Sequence, residues 1–439
     1  MEKQALIKKI ADHSARVGVV GLGYVGLPFA VEKAKVGFRV VGIDQNPKRA
    51  ALINAGENYI EDVDSDEFRA LVKKGLITAE TDFSNVPTMD VIVICVPTPL
   101  DKNLSPDLSY IENVTRGIAP LLRKGQLVSL ESTTYPGTTE EVMLPILEQA
   151  SGLKADKDFY LAHSPERVDP GNKRYTTKNT TKIVGGIGPN SLEVAELFYS
   201  QTISRVVPVS SAKAAELVKV YENTFRAVNI ALANELALLC DKLNLNVWEV
   251  LDAAFTKPFG IMPFYPGPGV GGHCIPLDPH YLEWKAKEYN FNTRFIALAG
   301  SMNRQMPYFV REKILRALNQ IGKAPSRSKL LFLGVAYKKD ISDERESPAF
   351  PVMELMIKDG AAITYHDPYV PETEVHGTHV KLKSVQLTAQ ALDEADAVVI
   401  TTDHSNVDYA FVAKHAKIVV DTRNAMAKAG QRGANIVLL

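Results

Sequence analysis

The sequence predicts an α/β protein with two Rossmann-like, doubly wound domains joined by a central helical domain that contains one long helix. Short β-branched runs alternate with helical patterns through the first 200 residues, and the alternation resumes near residue 330. Between them, apolar residues recur at three- and four-residue steps over about 211–243 without a strong breaker. Because helices that link neighbouring strands form right-handed crossovers, we expect both sheets to be mostly parallel.

The first α/β domain is expected over residues 1–208, where β-branched runs are bounded by turn signals. Its predicted strands are 16–20, 38–43, 91–96, 127–130 and 183–186. The central helical domain is expected over 209–321, with Ser210 or Ser211 as the N-cap of the long helix. Further helices are predicted near 247–255, 279–289 and 297–320, and proline and glycine make 258–272 an irregular loop.

The second α/β domain is expected over residues 322–439, after a linker at 322–328. Its predicted strands are 330–335, 362–365, 397–401 and 418–421, and its predicted helices are 348–358 and 388–394. No sequence repeat relates the two α/β domains, so we expect any relation between them to be architectural.

Composition narrows the class of protein. The chain has 46% hydrophobic and 23% charged residues, and 50 Lys+Arg against 51 Asp+Glu leave a net charge of -1. Nucleic-acid and membrane-surface binders usually carry a basic excess, so we expect neither partner. The three scattered cysteines exclude a disulfide scaffold and favour the reducing cytoplasm. Glycines interrupt the apolar stretch at 17–30, which is not expected to be a signal peptide, and no apolar run is long enough to span a bilayer.

A dinucleotide site is predicted where the segment GLGYVG, residues 21–26, follows a strand and opens a helix. Gly21 permits a tight turn, Gly23 lets the backbone approach a pyrophosphate, and Gly26 lets helix and strand pack closely. Asp44 ends the second strand and is placed to accept from ribose hydroxyls, which favours NAD over NADP. Arg49 could meet a phosphate or stack on adenine. A structural glycine turn with an incidental Asp is the alternative.

Cys274 stands in the segment GGHCIPLDP, residues 271–279, which predicts a reactive thiol. Asp278 and Pro279 read as an N-cap followed by proline at the first helical position, so Cys274 precedes a helix start that favours a thiolate. A lone cysteine is otherwise a small buried hydrophobe, which fits Cys95 and Cys240. His273 invites a Cys–His dyad, but adjacent side chains generally point apart. No closed set of metal ligands is present here, so no metal is expected.

The long helix carries Lys219 and Asn223, which are four residues apart and share one face. A solvated lysine is the plainer explanation of Lys219. Asn229 and Asn234 are also polar interruptions on this helix, and we expect them to be satisfied core or cap residues.

Together these segments resemble the UDP-glucose/GDP-mannose dehydrogenase family, the NAD-dependent nucleotide-sugar 6-dehydrogenases. The resemblance extends over nearly the whole chain and rests on six motifs in the family's order. They are GLGYVGLP near the start, ESTTYPGTT at 131–139, HSPER at 163–167, AELVKVYENTFRAVNIALANE at 215–235, GGHCIPLD at 271–278 and GVAYKKDISDERESP at 334–348.

The resemblance implies a role for each matching position. Cys274 would be the nucleophile, Lys219 and Asn223 would stabilise the oxygen at C6, and Asp278 would orient Lys219 and the hydrolytic water. Thr133 and Glu166 would hold that water and contact the nicotinamide side. The implied cofactor contacts are Gly21, Gly23, Tyr24, Val25, Gly26, Asp44, Arg49, Pro97, Thr98, Thr133 and Arg345. The implied substrate contacts are Glu166, Arg167, Lys219, Asn223, Tyr265, Gly271 and Lys338.

The segment SPERVDPGN, residues 164–172, departs from the Phe-Leu-Ala-Glu that follows Pro-Glu in many UDP-glucose enzymes. It is similar to the subgroup that oxidises UDP-N-acetylglucosamine, in which Arg167 and a reshaped loop could accommodate an acetamido group. UDP-glucose, UDP-N-acetylgalactosamine and UDP-N-acetylmannosamine remain alternatives. The product would be a sugar-nucleotide uronate for surface polysaccharide precursors.

The resemblance implies a four-electron oxidation of the C6 alcohol through a thiohemiacetal and a thioester on Cys274. Two rivals stay open: a two-electron hydroxy-acid or sugar-phosphate dehydrogenase, and a catalytically silent nucleotide-binding protein. The apolar stripe on the long helix exceeds what one neighbouring helix would need, so we expect a homodimer through that helix.

Overall fold

A computed structural model of the chain describes residues 2–60, 62–101, 103–169, 172, 174–272 and 274–439. These residues form two compact units. The first comprises residues 2–222 with 280–291, and the second comprises residues 223–279 with 292–439. Each unit contains one of the two predicted sheets, and the fold class predicted from the sequence is confirmed.

The sheet of the first unit has eight strands in the order β3-β2-β1-β4-β5-β6-β7-β8. All neighbours in it are parallel except β6 and β7, which are antiparallel. The predicted strands are present, but β3, β6 and β8 lie in segments where no strand was predicted. The strands are β1 Arg16–Val20, β2 Arg39–Ile43, β3 Ile77–Glu80, β4 Val91–Ile94, β5 Leu127–Leu130, β6 Tyr160–His163, β7 Lys182–Gly186 and β8 Val206–Val209.

Helices cover both faces of this sheet. Val17 and Val19 of β1 belong to one apolar core, whereas Val20 belongs to a second core on the other face, as the alternation of side chains along a strand requires. The helices are α1 Glu2–Ala11, α2 Gly26–Lys35, α3 Pro47–Ala55, α4 Ser65–Lys73, α5 Ser109–Ile118, α6 Leu144–Ser151 and α7 Pro189–Ser200. β4 ends at Ile94, so Cys95 lies just past the strand core in which it was expected.

The long helix predicted from the apolar stripe is α8 Ala212–Leu243. Ser211 is its N-cap, because the backbone N–H of Ala214 donates to Ser211 Oγ at 3.1 Å. Asn234 is a satisfied core residue as expected, since it is fully buried and its Oδ1 accepts from the backbone N–H of Gly267 at 3.0 Å. The helices that follow are α9 Val247–Ala254, α10 Asp278–Lys287 and α11 Arg294–Gln320.

The second unit contains a five-stranded parallel sheet in the order β10-β9-β13-β14-β15 and a separate hairpin of β11 and β12. The strands are β9 Lys329–Leu333, β10 Ala362–His366, β11 Glu372–Val375, β12 Val380–Lys383, β13 Ala397–Ile400, β14 Val419–Asp421 and β15 Ile436–Leu438. The helices are α12 Ala349–Lys358, α13 Ala389–Glu394, α14 Tyr409–His415 and α15 Ala425–Lys428. No helix in the part of the chain that the structure describes is both long and apolar enough to cross a bilayer.

The two sheets share a backbone arrangement that their sequences do not reveal. In the first unit, Gly21 follows β1 with φ +89°, and Asp44 Oδ2 after β2 accepts from the backbone N–H of Leu22 at 3.0 Å. In the second unit, Gly334 follows β9 with φ +82°, and Asp367 Oδ2 after β10 accepts from the backbone N–H of Val335 at 2.7 Å. The architectural relation expected between the two α/β domains therefore extends to the turn after the first strand of each.

Candidate functional site

The glycine turn between β1 and α2 has the shape of a phosphate cradle. A Cβ on Gly21 would lie 2.7 Å from the Cys95 carbonyl oxygen, and one on Gly26 would lie 1.9 Å from the Gly21 carbonyl oxygen. At Gly23, no heavy atom lies within 4 Å of the added Cβ. Packing therefore requires the outer two glycines, while the space at Gly23 leaves room for a pyrophosphate at the start of α2. Tyr24 is exposed beside it and Val25 directly precedes the helix.

Asp44 lies at the carboxyl end of β2, where a ribose would follow the phosphates. Its Oδ2 accepts from Leu22 N–H and its Oδ1 from Asn46 N–H at 2.9 Å, while Arg49 Nη1 lies 3.4 Å from Oδ2. A carboxylate has about four lone-pair positions, so acceptor capacity remains for ribose hydroxyls. The turn and this carboxylate together fit a dinucleotide with a free 2′-hydroxyl.

Tyr59 is a neighbour of Asp44 that sequence reasoning missed. Its hydroxyl donates to the Leu22 carbonyl at 2.7 Å, and burial, with a smaller contribution from Asp44, raises its pKa to about 12. The phenol therefore remains protonated and braces the glycine turn. No short motif marks this residue, because the hydrogen bond joins positions 37 residues apart.

Pro97, Thr98 and Thr133 lie in the loops after β4 and β5, at the same edge of the sheet. Thr98 Oγ1 donates to the Thr133 carbonyl at 2.7 Å, which connects the two loops. The Tyr281 hydroxyl donates to the Thr98 carbonyl and was also missed by the sequence analysis. These contacts hold the backbone of two predicted cofactor residues in place.

Glu166 follows β6 and is held by three donors. Its Oε1 accepts from the backbone N–H groups of Arg167 at 2.7 Å and Val168 at 2.8 Å, and its Oε2 accepts from Lys182 Nζ at 3.1 Å. Burial alone would raise the pKa of Glu166, but the positive charge of Lys182 and the two backbone donors outweigh it and lower the pKa. Glu166 is therefore a carboxylate at neutral pH and serves as an acceptor.

Arg167, predicted to contact the sugar, is engaged within the protein. Its Nε and Nη2 donate to the carboxylate of Glu222 at 3.2 and 2.5 Å, and its Nη1 donates to the Thr181 carbonyl at 2.5 Å. The guanidinium thus ties the loop after β6 to α8. Contact of Arg167 with a substrate stays a prediction, and the structure gives this residue a bracing role within the first unit.

Lys219 and Asn223 are one turn apart on α8. Both are buried, with Lys219 only 9% exposed, so the solvated lysine considered from the sequence is wrong. A buried lysine on this face of the helix can bind an oxyanion.

In the second unit, a backbone turn places Cys274 four residues before Asp278, the first residue of α10. The Cys274 carbonyl accepts from Leu277 N–H at 3.1 Å and from Asp278 N–H at 2.8 Å, and the thiol is half-buried. Asp278 is buried at the helix start, and its Oδ2 accepts from Asn223 Nδ2 at 2.5 Å. The second unit therefore brings together three of the predicted catalytic residues. His273 lies outside the described residues.

The glycines before Cys274 let its loop pack closely on the segment that contains Lys338 and Arg345. A Cβ on Gly271 would lie 2.8 Å from Tyr337 Cβ, and Gly272, with φ +88°, has its N–H 3.4 Å from the Arg345 carbonyl. The exposed Arg345 guanidinium pairs with Asp343, with Nη2 2.6 Å from Oδ2. The predicted cofactor contact of Arg345 would have to coexist with this pair.

Tyr265, a predicted substrate contact, is partly exposed in the proline-rich loop. Its hydroxyl donates to Asp252 Oδ1 at 2.7 Å and its ring stacks on Trp248 with centroids 5.6 Å apart. In the described ranges, no group of three His, Cys, Asp or Glu residues is arranged to hold a metal ion.

Three models of one family match successive parts of the chain. The NAD binding domain of the UDP-glucose/GDP-mannose dehydrogenase family matches residues 15–203, its central domain matches 213–305 and its UDP binding domain matches 331–428. The chain belongs to the UDP-glucose/GDP-mannose dehydrogenase family. The predictions of an NAD-dependent dehydrogenase with NAD as its cofactor are therefore confirmed.

Individual members of this family align over most of the chain. A UDP-N-acetyl-D-mannosamine dehydrogenase of Pyrococcus horikoshii is 38% identical over 93% of this chain and 95% of its own. A UDP-N-acetyl-D-glucosamine 6-dehydrogenase of Pseudomonas aeruginosa is 35% identical over 81% of this chain and 83% of its own. The solved UDP-D-ManNAc dehydrogenase of P. horikoshii superimposes with a TM-score of 0.87 at 34% identity, over 96% of this chain and 98% of that one.

Proposed function

We propose that this dehydrogenase oxidises the C6 alcohol of a UDP-sugar to a carboxylate in two successive two-electron steps. The observation that supports this most is the placement of Cys274 by a backbone turn at the start of α10, with Asp278 bonded to Asn223. A two-electron dehydrogenase needs no such thiol, whereas covalent capture lets a four-electron oxidation finish without release of the aldehyde.

NAD held by the glycine turn and Asp44 would supply the hydride acceptor in each step, with the NADH of the first step replaced by a second NAD before the second. In the first step, Lys219 and a bound water take the alcohol proton and Asn223 stabilises the developing oxyanion. The thiolate of Cys274 then adds to the C6 aldehyde to give a thiohemiacetal, and loss of the second hydride leaves a thioester. Water hydrolyses the thioester to the carboxylate and returns the thiol.

The remaining residues position groups for these steps. Glu166, held as a carboxylate, accepts a hydrogen bond from the hydrolytic water, and Thr133 shares that water. Asp278 orients the water and Lys219. Lys338 and Tyr265 contact the UDP-sugar, and Arg345 reaches the cofactor.

For the sugar, we propose UDP-N-acetylglucosamine, oxidised to UDP-N-acetylglucosaminuronate for surface polysaccharide precursors in the cytoplasm. The segment 164–172 supports an acetamido substrate, as does the likeness to the P. aeruginosa enzyme. UDP-N-acetylmannosamine is the second candidate, favoured by the 38% identity to the P. horikoshii enzyme over 93% of the chain. These epimers differ at C2, so the loop after β6 would have to discriminate between them.

The decisive experiment is a panel of UDP-sugars, scored by NADH formed per sugar consumed. The panel contains UDP-glucose and the N-acetyl derivatives of glucosamine, mannosamine and galactosamine. The proposal expects two NADH per sugar, with the highest kcat/KM for UDP-N-acetylglucosamine. One NADH per sugar would show that the reaction is a two-electron oxidation. A preference for the mannosamine epimer would leave the proposed four-electron chemistry intact and change the proposed substrate.

The proposed assembly is a homodimer through α8. Three exposed apolar residues, Phe225, Leu232 and Leu239, recur every seven positions and so form one face of the helix. Leu232 is 63% exposed, which suits a helix that packs against a second copy. We also propose that each chain divides into three domains, residues 1–208, 209–321 and 322–439.

Light scattering coupled to gel filtration tests the dimer. Leu232→Glu should shift the protein to a monomer because it places a carboxylate in the apolar face. Arg226→Glu adds a carboxylate on a different face of α8, about 120° away, and should remain dimeric. An unchanged mass for Leu232→Glu would reject this interface.

A further inference from the structure

We propose that Lys182 is a positioning residue that holds Glu166 in its catalytic orientation, with Glu131 as the other end of a buried charge triad. This inference rests on the proposed function, because it deepens the role of Glu166 in handling the hydrolytic water. Lys182 does not belong to any of the motifs that mark the catalytic residues.

The antiparallel pairing of β6 and β7 creates the triad. His163 pairs with Gly185, and continuing this antiparallel register by three residues places Glu166 opposite Lys182. Because β7 runs antiparallel to β6, its first residue lies at the edge of the sheet where β5 and β6 end. A parallel β7 would have placed this lysine at the opposite edge of the sheet.

The contacts at that edge are short and enclosed. Lys182 Nζ lies 2.9 Å from Glu131 Oε2 and 3.1 Å from Glu166 Oε2, and Lys182 is only 3% exposed. Glu131 comes directly after β5 and is fully buried, while Glu166 retains partial exposure. Glu166 is therefore the end of the triad that faces outward, and Glu131 is the end enclosed by protein.

The charges explain why the lysine controls Glu166. Two carboxylates and one ammonium leave the triad with one net negative charge. The other titratable groups that face it are Lys33 of α2, Cys95 after β4, His163 of β6 and Tyr199 of α7. Burial raises the pKa of Glu131, whereas the nearby cation lowers the pKa of Glu166 despite its own burial. Without the lysine, the two carboxylates would repel each other in a medium that screens charge poorly, and a proton would be drawn onto the pair.

A protonated Glu166 would lose its function in two ways. Its Oε1 already accepts two backbone N–H groups, so the proton would go to Oε2, the atom that Lys182 holds. The protonated carboxyl would then donate a hydrogen bond at a position where the hydrolytic water needs an acceptor. In addition, Lys182 would no longer hold Oε2 of Glu166 in place.

The test compares Lys182→Met, which is similar in length and uncharged, with Lys182→Arg, which restores the cation. Lys285→Met is the matched control, since Lys285 is also buried in the first unit and paired with two carboxylates, but those of Glu141 and Glu288. The pH profile of kcat is measured for each variant, with NADH affinity as a check on folding.

We expect the acid limb of the kcat profile of Lys182→Met to move up by about one pH unit or more, so that kcat is lost mainly at acid pH and recovers as the pH rises. Lys182→Arg should return the acid limb most of the way to its wild-type position, and Lys285→Met should keep the wild-type profile. Glu131→Gln should move the acid limb to lower pH, because Glu166 then no longer shares the positive charge of Lys182 with a second carboxylate. This opposite shift keeps the test informative if Lys182→Met does not fold.

A uniform loss of kcat at all pH values, or a Lys182→Met limb at the wild-type position, would overturn the proposal. The number of NADH formed by the wild-type enzyme tests the proposed function separately. If no UDP-sugar were oxidised, the carboxyl titration of Glu166 would still be followed by 13C NMR, with its signal assigned by its loss in Glu166→Gln. If the pKa of Glu166 measured in this way were no higher in Lys182→Met than in the wild type, the proposed role of the triad would be refuted.

Discussion

Asn223 Nδ2 donates to Asp278 Oδ2 at 2.5 Å, and both side chains are buried. The bond fixes the amide of a residue on α8 against the carboxylate at the start of α10, four residues after Cys274. An amide held in this way has a defined donor direction, which a hydrogen bond to a developing oxyanion requires.

This relationship predicts strong coupling between Asn223 and Asp278. Asn223→Ala, Asp278→Ala and the double variant form a mutant cycle, read by kcat/KM and by the free energy of unfolding. We expect a coupling energy of about 0.5–3 kcal/mol, because each single change leaves a buried polar partner unsatisfied. Asn229→Ala replaces Asn223→Ala in a control cycle, since its amide donates to the Phe225 carbonyl within α8. Additive effects of the first pair would show that the bond does not matter in solution.

Cys274→Ser should reduce kcat by about three orders of magnitude or more while leaving NAD affinity unchanged, because the hydroxyl is a far weaker nucleophile than a thiolate. Steady-state NADH formation and NAD titration measure the two effects. Cys240→Ser makes the same substitution at a buried site on α8 and should retain activity. Wild-type rates with two NADH per sugar in Cys274→Ser would rule out the thioester.

Asp44→Ala should weaken NAD binding and relax the discrimination against NADP, because the carboxylate that accepts from the ribose and repels a 2′-phosphate is lost. The ratio of kcat/KM for the two cofactors is the quantity to measure, and we expect it to change by about tenfold or more. Asp66→Ala, on the exposed side of α4, should leave the ratio unaltered. An unchanged ratio in Asp44→Ala would remove Asp44 from ribose recognition.

His163 should make the protein less stable in mild acid. Burial, with a smaller contribution from Lys182, lowers its pKa from 6.5 to about 3. Between these two pKa values, His163 is protonated in the unfolded chain but not in the folded chain. The free energy of unfolding therefore falls as the pH drops from about 6.5 towards 3. The slope is up to about 1.4 kcal/mol per pH unit for this group.

Chemical denaturation between pH 7 and 5 measures this slope. His163→Leu should flatten it relative to the wild type, and His379→Leu should not, because the His379 side chain is 92% exposed. Equal slopes in the wild type and His163→Leu would contradict a buried neutral imidazole.

Local signals predicted much of the fold and part of the site. The apolar stripe and Ser211 predicted α8 because periodicity and capping are properties of contiguous residues. The glycine turn and Asp44 were predictable for the same reason. β6 and β8 were missed because each is only four residues long and includes a residue that weakens the strand pattern, His163 in β6 and Pro208 in β8. The antiparallel direction of β7 depends on how its connection crosses the sheet.

The residues that sequence reasoning missed are held by distant partners. Lys182 is 51 residues from Glu131, and Tyr281 is 183 residues from Thr98. Arg167 was predicted to face the sugar, yet Glu222, 55 residues away, pairs with its guanidinium. No spacing rule connects such positions.

The sequence by itself determined the α/β class, the glycine turn, the Ser211 cap and the candidate nucleophile, because each depends on neighbouring residues whose backbone preferences act together. Asp278, predicted as an N-cap, is instead the first residue of α10. Only the tertiary structure decided which charged groups are buried and with which partners. Strand order and direction bring Glu131, Glu166 and Lys182 to one edge of the sheet, and that order is set by packing across the whole unit. The physical reason is that a buried charge is stabilised mainly by its nearest protein partner, and the fold determines which residue that partner is.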